Sequence, residues 1–532
     1  MAGMMPRILA ETFQNIQLGL SAEAYTYLPL DEGEIRLLEL LPSSDPSSPI
    51  SCRLHHALVD RLPPYHALSY AWGTNSWRLT PRPRIFIEGK SLPVMPNLEA
   101  FLRQHRQDGA GRGICPMLWI DAICINQDDL VERLQQINMM CKLYTRCNKL
   151  IVWLGVGDGN SKTAIELLKL AARLKKAGPA VLRSWQNTLV SRFFISGENH
   201  HIPLSEFFSR SWFSRAWVVQ EYVLGCMNGM VFKCGNLQLS REELEAVLDL
   251  NATDWPTANT IRDPKTIPLS QYHLDTGMWY MNVVQLILNQ TQFSRVARNQ
   301  KTTSLLFWLT TLRYANATDP RDKVYAALGL AESFNQNANS RIYDSDSLIV
   351  DYRRPIGEIY ASLVKSLVTS TKRLDVLLAC CSRRHVTQTW TPDWSMPTDL
   401  PGFRSALCGS SDNVLSKKGF NSSGTTNAIA SFSSDLSTMT IRGIIWDTVE
   451  IISPYIGQDT LAAQESLEFI NPHWDAMVRN KTYSSERSVL NAYGKLSLYP
   501  PTPTLMSSFP KPISSPSDST PSSPSPSPRP QK

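Results

Sequence analysis

The chain has 532 residues, of which 42% are apolar and 14 are Trp, a composition that favours a folded core in two or three domains. Its formal net charge of +6 is spread along the sequence, without the basic stripe and interleaved aromatic residues that nucleic-acid binding favours. No run of 18 apolar residues predicts a membrane span, and the N-terminus lacks the apolar core of a signal peptide. We therefore predict no nucleic-acid partner and no membrane span.

The cysteines indicate the compartment of the protein, and the spacing of cysteines and histidines indicates whether a zinc site is expected. Several of the ten cysteines lie inside apolar runs, which is typical of small buried thiols in a reducing compartment, so we expect a cytoplasmic protein. The sequence has no Cys-x-x-Cys pair, and the pairs His55-His56 and His200-His201 lack neighbouring ligands at zinc spacing. We expect no metal site and no bound cofactor.

The N-terminal part of the chain predicts strands. Residues 1–25 carry no clear pattern, and we expect a loose arm there. Three strands are then predicted, in Ile35–Pro42, Ile50–Asp60 and Tyr65–Gly73. Gly73 permits a sharp bend, which would place Ser69 and Trp72 at the end of the third strand. That end is either a binding loop or a strand terminus closed by an aromatic side chain.

A hairpin and a helix follow. The run Arg84–Val94 predicts two strands with a turn at Glu88-Gly89-Lys90. A helix is predicted to begin at Pro96-Asn97, with Leu98, Phe101 and Leu102 facing inward.

The stretch Leu118–Gly155 predicts a strand, a helix and a second strand. Its length suits a βαβ crossover, so the two strands should run parallel. The first strand, Leu118–Ile125, is apolar except for Asp121. A carboxylate in such a strand must be paired, or must lie at the open carboxyl end of the sheet, where α/β folds bind ligands. Both interpretations of Asp121 remain open from the sequence.

The helix within this stretch should be capped by Asp128 or Asp129. Its predicted apolar stripe consists of Leu130, Leu134, Ile137, Cys141 and Tyr144. The following run, Gly155–Thr163, resembles a phosphate loop, but Ser161 stands where that loop needs a glycine. We predict only a turn there, followed by a helix over 162–176.

The segment Pro203–Gly225 places Trp217 and Glu221 four residues apart, and hence on one face of a helix. A carboxylate one turn from a Trp can act as a general acid or base, or bind a ribose hydroxyl. It can equally be a structural carboxylate paired with Arg215 or Arg210. The spacing alone leaves both roles open.

The remaining elements are predicted from local signals. A strand or hairpin is predicted in Met230–Ser240 and a helix in Arg241–Leu250. Further helices are predicted at 277–289, 356–370 and 459–470, and a strand pair or one long strand at 439–453. A helix near 318–330 should be capped by Thr318 or Asp319 and closed by Gly329. The Pro/Ser-rich residues 499–532 are predicted to be a disordered tail.

Four blocks together resemble the fungal heterokaryon incompatibility (HET) domain. They are Tyr65–Gly73, Leu118–Tyr144, Leu150–Gly155 and Ser209–Gly225. Two further segments, Thr318–Leu330 and Thr391–Ser395, resemble the extension that commonly follows this domain. The resemblance implies a fungal protein of self/non-self recognition whose action ends in programmed cell death. The predicted organisation is a loose arm (1–25), a HET domain (26–250, motif core 65–225), an α/β extension (251–498) and the tail (499–532).

The HET domain in turn distantly resembles the TIR domain, which implies a flavodoxin-like parallel sheet core with a mixed α/β C-terminal extension. Some TIR domains hydrolyse NAD with a glutamate in a Trp-Cys-x-x-Glu helix. The run Trp217–Glu221 is similar, with Val218 in place of the Cys. This resemblance makes Glu221 the catalytic candidate. The candidate ligand-binding residues are Ser69, Tyr70, Trp72, Asp121 and Trp217.

Two functions fit these observations. The first is a cell-death effector that cleaves NAD as its substrate, in which Glu221 holds a ribose hydroxyl or stabilises an oxocarbenium-like transition state. Trp72 or Trp217 would then stack on the base. The second is a non-catalytic signalling domain that acts by assembly. The expected partners are other incompatibility proteins or further copies of this chain.

Overall fold

The structure is a computed structural model, and it describes ten ranges of the chain together with Val181 and Ile287. The ranges are 22–73, 82–109, 116–178, 202–225, 229–246, 305–313, 315–335, 350–380, 384–396 and 427–443. The chain divides into two units, Met1–Arg442 and Gly443–Lys532, and every element named below belongs to the first. The helix predicted at 459–470, the tail, and nearly all of the helix predicted at 277–289 lie outside the described residues.

Nine strands of the described residues form one sheet in the order β5-β4-β2-β1-β6-β3-β7-β8-β9. The strands are β1 Glu34–Leu40, β2 Ser51–Leu58, β3 Tyr65–Tyr70, β4 Arg84–Ile87, β5 Lys90–Pro93, β6 Met117–Trp119, β7 Lys149–Trp153, β8 Met230–Cys234 and β9 Leu237–Ser240. A separate antiparallel pair consists of β10 Ile429–Phe432 and β11 Met439–Arg442.

The centre of the sheet is parallel. Strand β3 pairs in parallel with β6 on one side and β7 on the other, and β7 pairs in parallel with β8. Nearly all of β3 and β7 is buried, because helices cover both faces of a parallel sheet and force its strands to be apolar. The prediction that the two strands of Leu118–Gly155 run parallel is confirmed, although β3 lies between them. Antiparallel strands flank this centre, so the sheet as a whole is mixed.

Ten α-helices are described. They are α1 Pro96–Gly109, α2 Asp121–Cys124, α3 Leu130–Arg146, α4 Gly159–Ala177, α5 Ile202–Phe208, α6 Ala216–Gly225, α7 Arg241–Glu245, α8 Leu305–Leu312, α9 Asp322–Asn335 and α10 Ile356–Thr371. The cap predicted for α3 is Asp129, whose side chain accepts hydrogen bonds from the N–H groups of Val131 and Glu132. Among these described helices, none has the length and apolarity needed to cross a membrane.

The hairpin predicted at Arg84–Val94 is confirmed as β4 and β5. Glu88 and Gly89 both have positive φ, 52° and 85°, which suits the tight two-residue turn between antiparallel strands. The end of the predicted N-terminal arm pairs with this hairpin, because the Tyr25 N–H donates to the Ser91 carbonyl at 2.9 Å.

The strand predicted over Leu118–Ile125 is wrong beyond Trp119. Strand β6 ends there, and the chain turns at Ile120 into the short helix α2. The Asp121 carboxylate accepts a hydrogen bond from the Ala122 N–H at 2.7 Å, an interaction that favours a helix start over a continuing strand. Asp121 therefore lies at the carboxyl end of β6.

The apolar stripe predicted for α3 is wrong at its first position. Leu130 is 47% exposed, whereas the polar residues Glu132 and Gln136 are buried. The physical reason is Arg36 of β1, which is fully buried and needs a carboxylate. Its guanidinium contacts both carboxylate oxygens of Glu132, at 2.7 and 2.9 Å.

The prediction that Gly329 closes a helix is also wrong. Helix α9 begins at Asp322 and continues through Gly329 to Asn335. A Cβ at position 329 would lie 2.8 Å from Cys141 Sγ of α3 and 3.1 Å from Gln220 Nε2 of α6. The glycine therefore permits three helices to pack closely.

Candidate functional site

A cleft of about 760 Å³ opens at the carboxyl ends of β3 and β6. Its size lies within the range of about 300–1,000 Å³ that is usual for small-molecule sites. Aromatic and basic side chains form part of its lining: Trp72, Trp217, Tyr352, Arg133 and Arg215. Four acidic residues also line it: Asp121, Glu221, Asp319 and Asp322.

Two side chains hold Glu221 in position, one by a direct hydrogen bond and one through the first. It lies on α6 and is only 2% exposed. The Ser69 hydroxyl, from the end of β3, donates a hydrogen bond to Glu221 Oε2. Trp212, in the 3-10 turn Ser211–Ser214 before α6, donates from Nε1 to Ser69 Oγ at 2.7 Å. This chain of donors fixes the position of the carboxyl group at the cleft.

The Glu221 carboxyl has a pKa raised to about 7. Burial is the main cause, because a charged carboxylate loses its hydration there. The charge of Arg215 and the hydrogen bond from Ser69 lower the pKa, and the nearby Asp121 raises it. A carboxyl group with a pKa near 7 can be protonated or ionised at neutral pH, which suits a general acid or base.

Asp121 is held by Trp72 across the cleft. The indole Nε1 lies 3.1 and 3.3 Å from the two carboxylate oxygens. Burial raises the pKa of Asp121, while Arg215, the Ala122 N–H and Trp72 oppose that shift. Trp72 thus contributes both an aromatic surface and a donor that orients a carboxylate.

Arg215 lies among the acidic residues of the cleft. Its charge lowers the pKa of Asp121, Glu221 and Asp322, and its guanidinium donates to the Tyr70 carbonyl. Within the described residues, no ion pair joins Glu221 to Arg215 or Arg210. Arg210 instead donates to the carbonyls of Leu154 and Val156.

The sequence-predicted site residues fall into two groups. Trp72, Asp121, Trp217 and Glu221 line the cleft. Ser69 and Tyr70 are 1% and 2% exposed and do not line the cleft. Each contacts a residue that does: Ser69 donates to Glu221, and the Tyr70 carbonyl accepts from Arg215. The catalytic and ligand-binding roles of all six stay predictions.

Sequence reasoning missed the residues that the C-terminal extension contributes. Asp319, Asp322 and Tyr352 line the same cleft, and the Tyr352 hydroxyl donates to Asp322 Oδ1 at 2.5 Å. Burial raises the pKa of Asp322 to about 6. No local signal could have located these side chains, because they lie near Glu221 in space but roughly 100 or more residues after it in the chain.

The acidic residues are spread around the cleft. In the described part of the chain, no group of three His, Cys, Asp or Glu side chains is arranged to hold a metal ion. The cleft instead combines carboxyl groups, two guanidinium groups and aromatic rings. This set is suited to a ligand that has hydroxyl groups, negative charge and an aromatic ring.

The fold and this cleft define an α/β protein with a ligand-sized site at the carboxyl ends of its parallel strands. Residues 65–221 match the family described as Heterokaryon incompatibility protein (HET), and this range of the chain is therefore assigned as a HET domain. The matched range begins at the first residue of β3 and ends at Glu221. The resemblance drawn from the four sequence blocks is confirmed.

The chain is also similar to a curated protein of Neurospora crassa, "Heterokaryon incompatibility protein 6, OR allele". The two are 27% identical over 334 residues, which cover 56% of this chain and 47% of the relative. The chain thus spans about half the length of that relative. Because 334 residues exceed the range 65–221, the similarity continues outside the HET match. No solved structure matches the chain.

Proposed function

We propose that this protein acts in fungal heterokaryon incompatibility, and that its HET domain triggers programmed cell death by cleaving NAD. The family match and the name of the Neurospora relative support the role in incompatibility. One observation carries the proposed chemistry: the buried Glu221 carboxyl, held by Ser69, lines a cleft that also contains Trp72 and Trp217.

The order of the parallel strands supports a flavodoxin-like, TIR-like core. Numbered along the chain, the parallel strands β3, β6, β7 and β8 lie in the spatial order 2-1-3-4. Flavodoxin-like sheets share this order and bind their ligands outside the carboxyl ends of the strands. The cleft lies at that end of β3 and β6, the edge of the sheet at which such folds bind their ligands.

The proposed reaction breaks the bond between nicotinamide and ribose C1. Nicotinamide leaves with the bonding electron pair, water adds to C1 and loses a proton, and ADP-ribose is the second product. The ribose carries positive charge in the transition state, so a nearby carboxylate stabilises it. In this proposal the ionised Glu221 supplies that charge, Trp72 or Trp217 stacks on a base, and Arg133 and Arg215 bind the diphosphate.

Nicotinamide release by the purified full chain tests this proposal. Glu221→Gln keeps the shape of the side chain and removes its charge, so we expect at least about a hundredfold loss of turnover. Glu358→Gln is the matched control, because Glu358 is half-exposed on α10 and forms a surface pair with Arg354. No turnover by the parent at high protein concentration would reject NAD cleavage by this chain alone.

A second candidate function is a non-catalytic domain that signals by assembly. The near-complete burial of Glu221 favours it, because a carboxylate hydrogen-bonded beneath a cleft can be purely structural. Cell killing by overexpressed Glu221→Gln distinguishes the two. Killing by the folded variant at the parent's level would favour assembly, and loss of killing would favour chemistry at Glu221.

A further inference from the structure

The cleft is completed by residues that follow the HET match. Asn316 pairs with Arg215 as an isolated parallel bridge directly before α6. The Ala216 N–H donates to the Asn316 carbonyl at 2.9 Å, and the Asn316 N–H donates to the Ser214 carbonyl at 2.5 Å. Backbone hydrogen bonds therefore attach the extension to the helix that carries Glu221.

Asp322 connects the two parts of the cleft through its side chain. It is the first residue of α9, and its carboxylate accepts hydrogen bonds from Trp217 of α6 and from the Tyr352 hydroxyl. A carboxylate has about four acceptor positions, so two donors leave part of its capacity unused. Because Asp322 lines the cleft, a ligand hydroxyl can use that remaining capacity.

The surroundings hold Asp322 in place. The adjacent Lys323 is buried, and its ammonium group donates to the carbonyls of Arg313 and Ser395 at 2.8 and 3.0 Å. The guanidinium groups of Arg133 and Arg321 lie 4.8 and 5.4 Å from the centre of the Tyr352 ring. These contacts restrict both α9 and the tyrosine that donates to Asp322.

We propose that Asp322 is a ligand-positioning residue that binds a ribose hydroxyl of the nucleotide, so that the extension forms part of the site. This inference rests on the proposed function, since NAD supplies that nucleotide. Asp322 and Glu221 would hold sugar hydroxyls from two helices, and the arginines would face the diphosphate. The similarity to the Neurospora protein extends beyond residues 65–221, as expected if residues outside the HET match share in function.

Calorimetric binding of NAD and of ADP-ribose to the full chain tests this inference. Asp322→Asn keeps the shape and removes the charge, and we expect about tenfold weaker binding of both ligands. With NAD turnover as the readout, KM should rise by more than kcat falls. Asp375→Asn is the control, because Asp375 pairs with Arg373 on the surface of the same extension. Binding by folded Asp322→Asn at the parent's affinity would overturn the inference.

A second variant covers the case in which Asp322→Asn does not fold. Asp322→Glu keeps a carboxylate for Trp217 and Tyr352 but displaces it by one methylene group. A positioning role predicts weaker binding with an unchanged melting temperature, and parent-like binding would contradict it.

The two proposals fail in different ways. If the parent binds both ligands but releases no nicotinamide, NAD cleavage is rejected. The binding affinities of the Asp322 variants then decide the role of Asp322. Release by the parent together with full affinity in Asp322→Asn would reject only the role of Asp322. Failure of the parent to bind either ligand would overturn both.

Discussion

The Ser69 hydroxyl donates a hydrogen bond to the Glu221 carboxylate, which joins the end of β3 to α6 at the base of the cleft. Ser69 is itself held by Trp212 Nε1 and does not line the cleft. This geometry supports a positioning role for Ser69. Its hydroxyl orients the Glu221 carboxylate and stabilises its negative charge, while a ligand would contact Glu221 and not Ser69.

The first prediction concerns the proton affinity of Glu221. The hydrogen bond from Ser69 lowers the pKa of Glu221, so Ser69→Ala should raise it above about 7. If the ionised form is active, kcat/KM for NAD rises with pH through the pKa of Glu221, and the variant's rise should occur at higher pH. The measurement is a pH profile of nicotinamide release from pH 5 to 9.

The control for this profile is Ser370→Ala, since Ser370 lies on α10 and donates only to helix carbonyls. Its profile should match that of the parent. A Ser69→Ala profile that is uniformly lower but has an unshifted midpoint would show that Ser69 does not tune Glu221.

The second prediction concerns stability and pH. Burial raises the pKa of Glu221 from 4.5 to about 7, so between these values the folded state binds more protons than the unfolded state. The free energy of unfolding therefore falls as pH rises through this window. Its Glu221 contribution is on the order of 3 kcal/mol, and Glu221→Gln removes this contribution.

Unfolding followed by tryptophan fluorescence at pH 5 and pH 8 measures this effect. The stability of Glu221→Gln relative to the parent should increase by roughly that amount at the higher pH. The exposed-site variant Glu358→Gln controls for the change from carboxylate to amide. An equal difference between Glu221→Gln and the parent at both pH values would mean that Glu221 does not titrate in this window.

The sequence predicts several strands of the sheet well and the contacts of the helices poorly. Strands β1, β2, β3 and β7 are predictable because buried strands are short apolar runs between turn signals. The predictions for Leu130 and Gly329 are wrong because the environment of each depends on another element. Leu130 is exposed since Glu132 turns inward to Arg36, and Gly329 meets Cys141.

The candidate site likewise has one part that the sequence predicts and another that it does not. The end of β3 and the spacing of Trp217 and Glu221 are local features, so the sequence predicts this part of the cleft. The local pattern around Asp322 indicates only a helix, and no element is predicted around Tyr352. Asp322 lies next to Trp217 through long-range contacts, such as the backbone bridge between Asn316 and Arg215, which no periodicity reveals.

The third prediction concerns the buried ion pair. Arg36 and Glu132 have side-chain exposures of 0% and 8%, and Glu132 also accepts from the Asn126 N–H at 2.6 Å. Glu132→Gln leaves the guanidinium buried without its counter-charge, so the free energy of unfolding should fall by about 3–5 kcal/mol. Denaturant unfolding of the full chain measures this loss.

A surface pair on the neighbouring strands provides the comparison. Arg53 and Glu39 lie 3.7 Å apart with side-chain exposures of 55% and 34%. Arg53→Gln should change stability by less than about 1 kcal/mol, because water screens the pair. Equal effects of the two substitutions would contradict the inference that the buried ion pair between Arg36 and Glu132 stabilises the fold.

The last prediction links helix packing to the cleft. Gly329→Ala places a methyl group 2.8 Å from Cys141 Sγ, so α9 must shift or the thiol must move. We expect a loss of about 1–3 kcal/mol of stability, partly offset by the better helix propensity of alanine. Since Asp322 begins the same helix, the shift should also weaken ADP-ribose binding.

Gly159→Ala is the matched control, because Gly159 begins α4 and a Cβ there has no neighbour within 4 Å. It should leave binding unchanged and should not reduce stability. Adding Cys141→Ala to Gly329→Ala removes the clashing sulfur, so stability and ADP-ribose affinity should both recover in part. Recovery of stability without recovery of affinity would show that the position of α9 does not control the cleft.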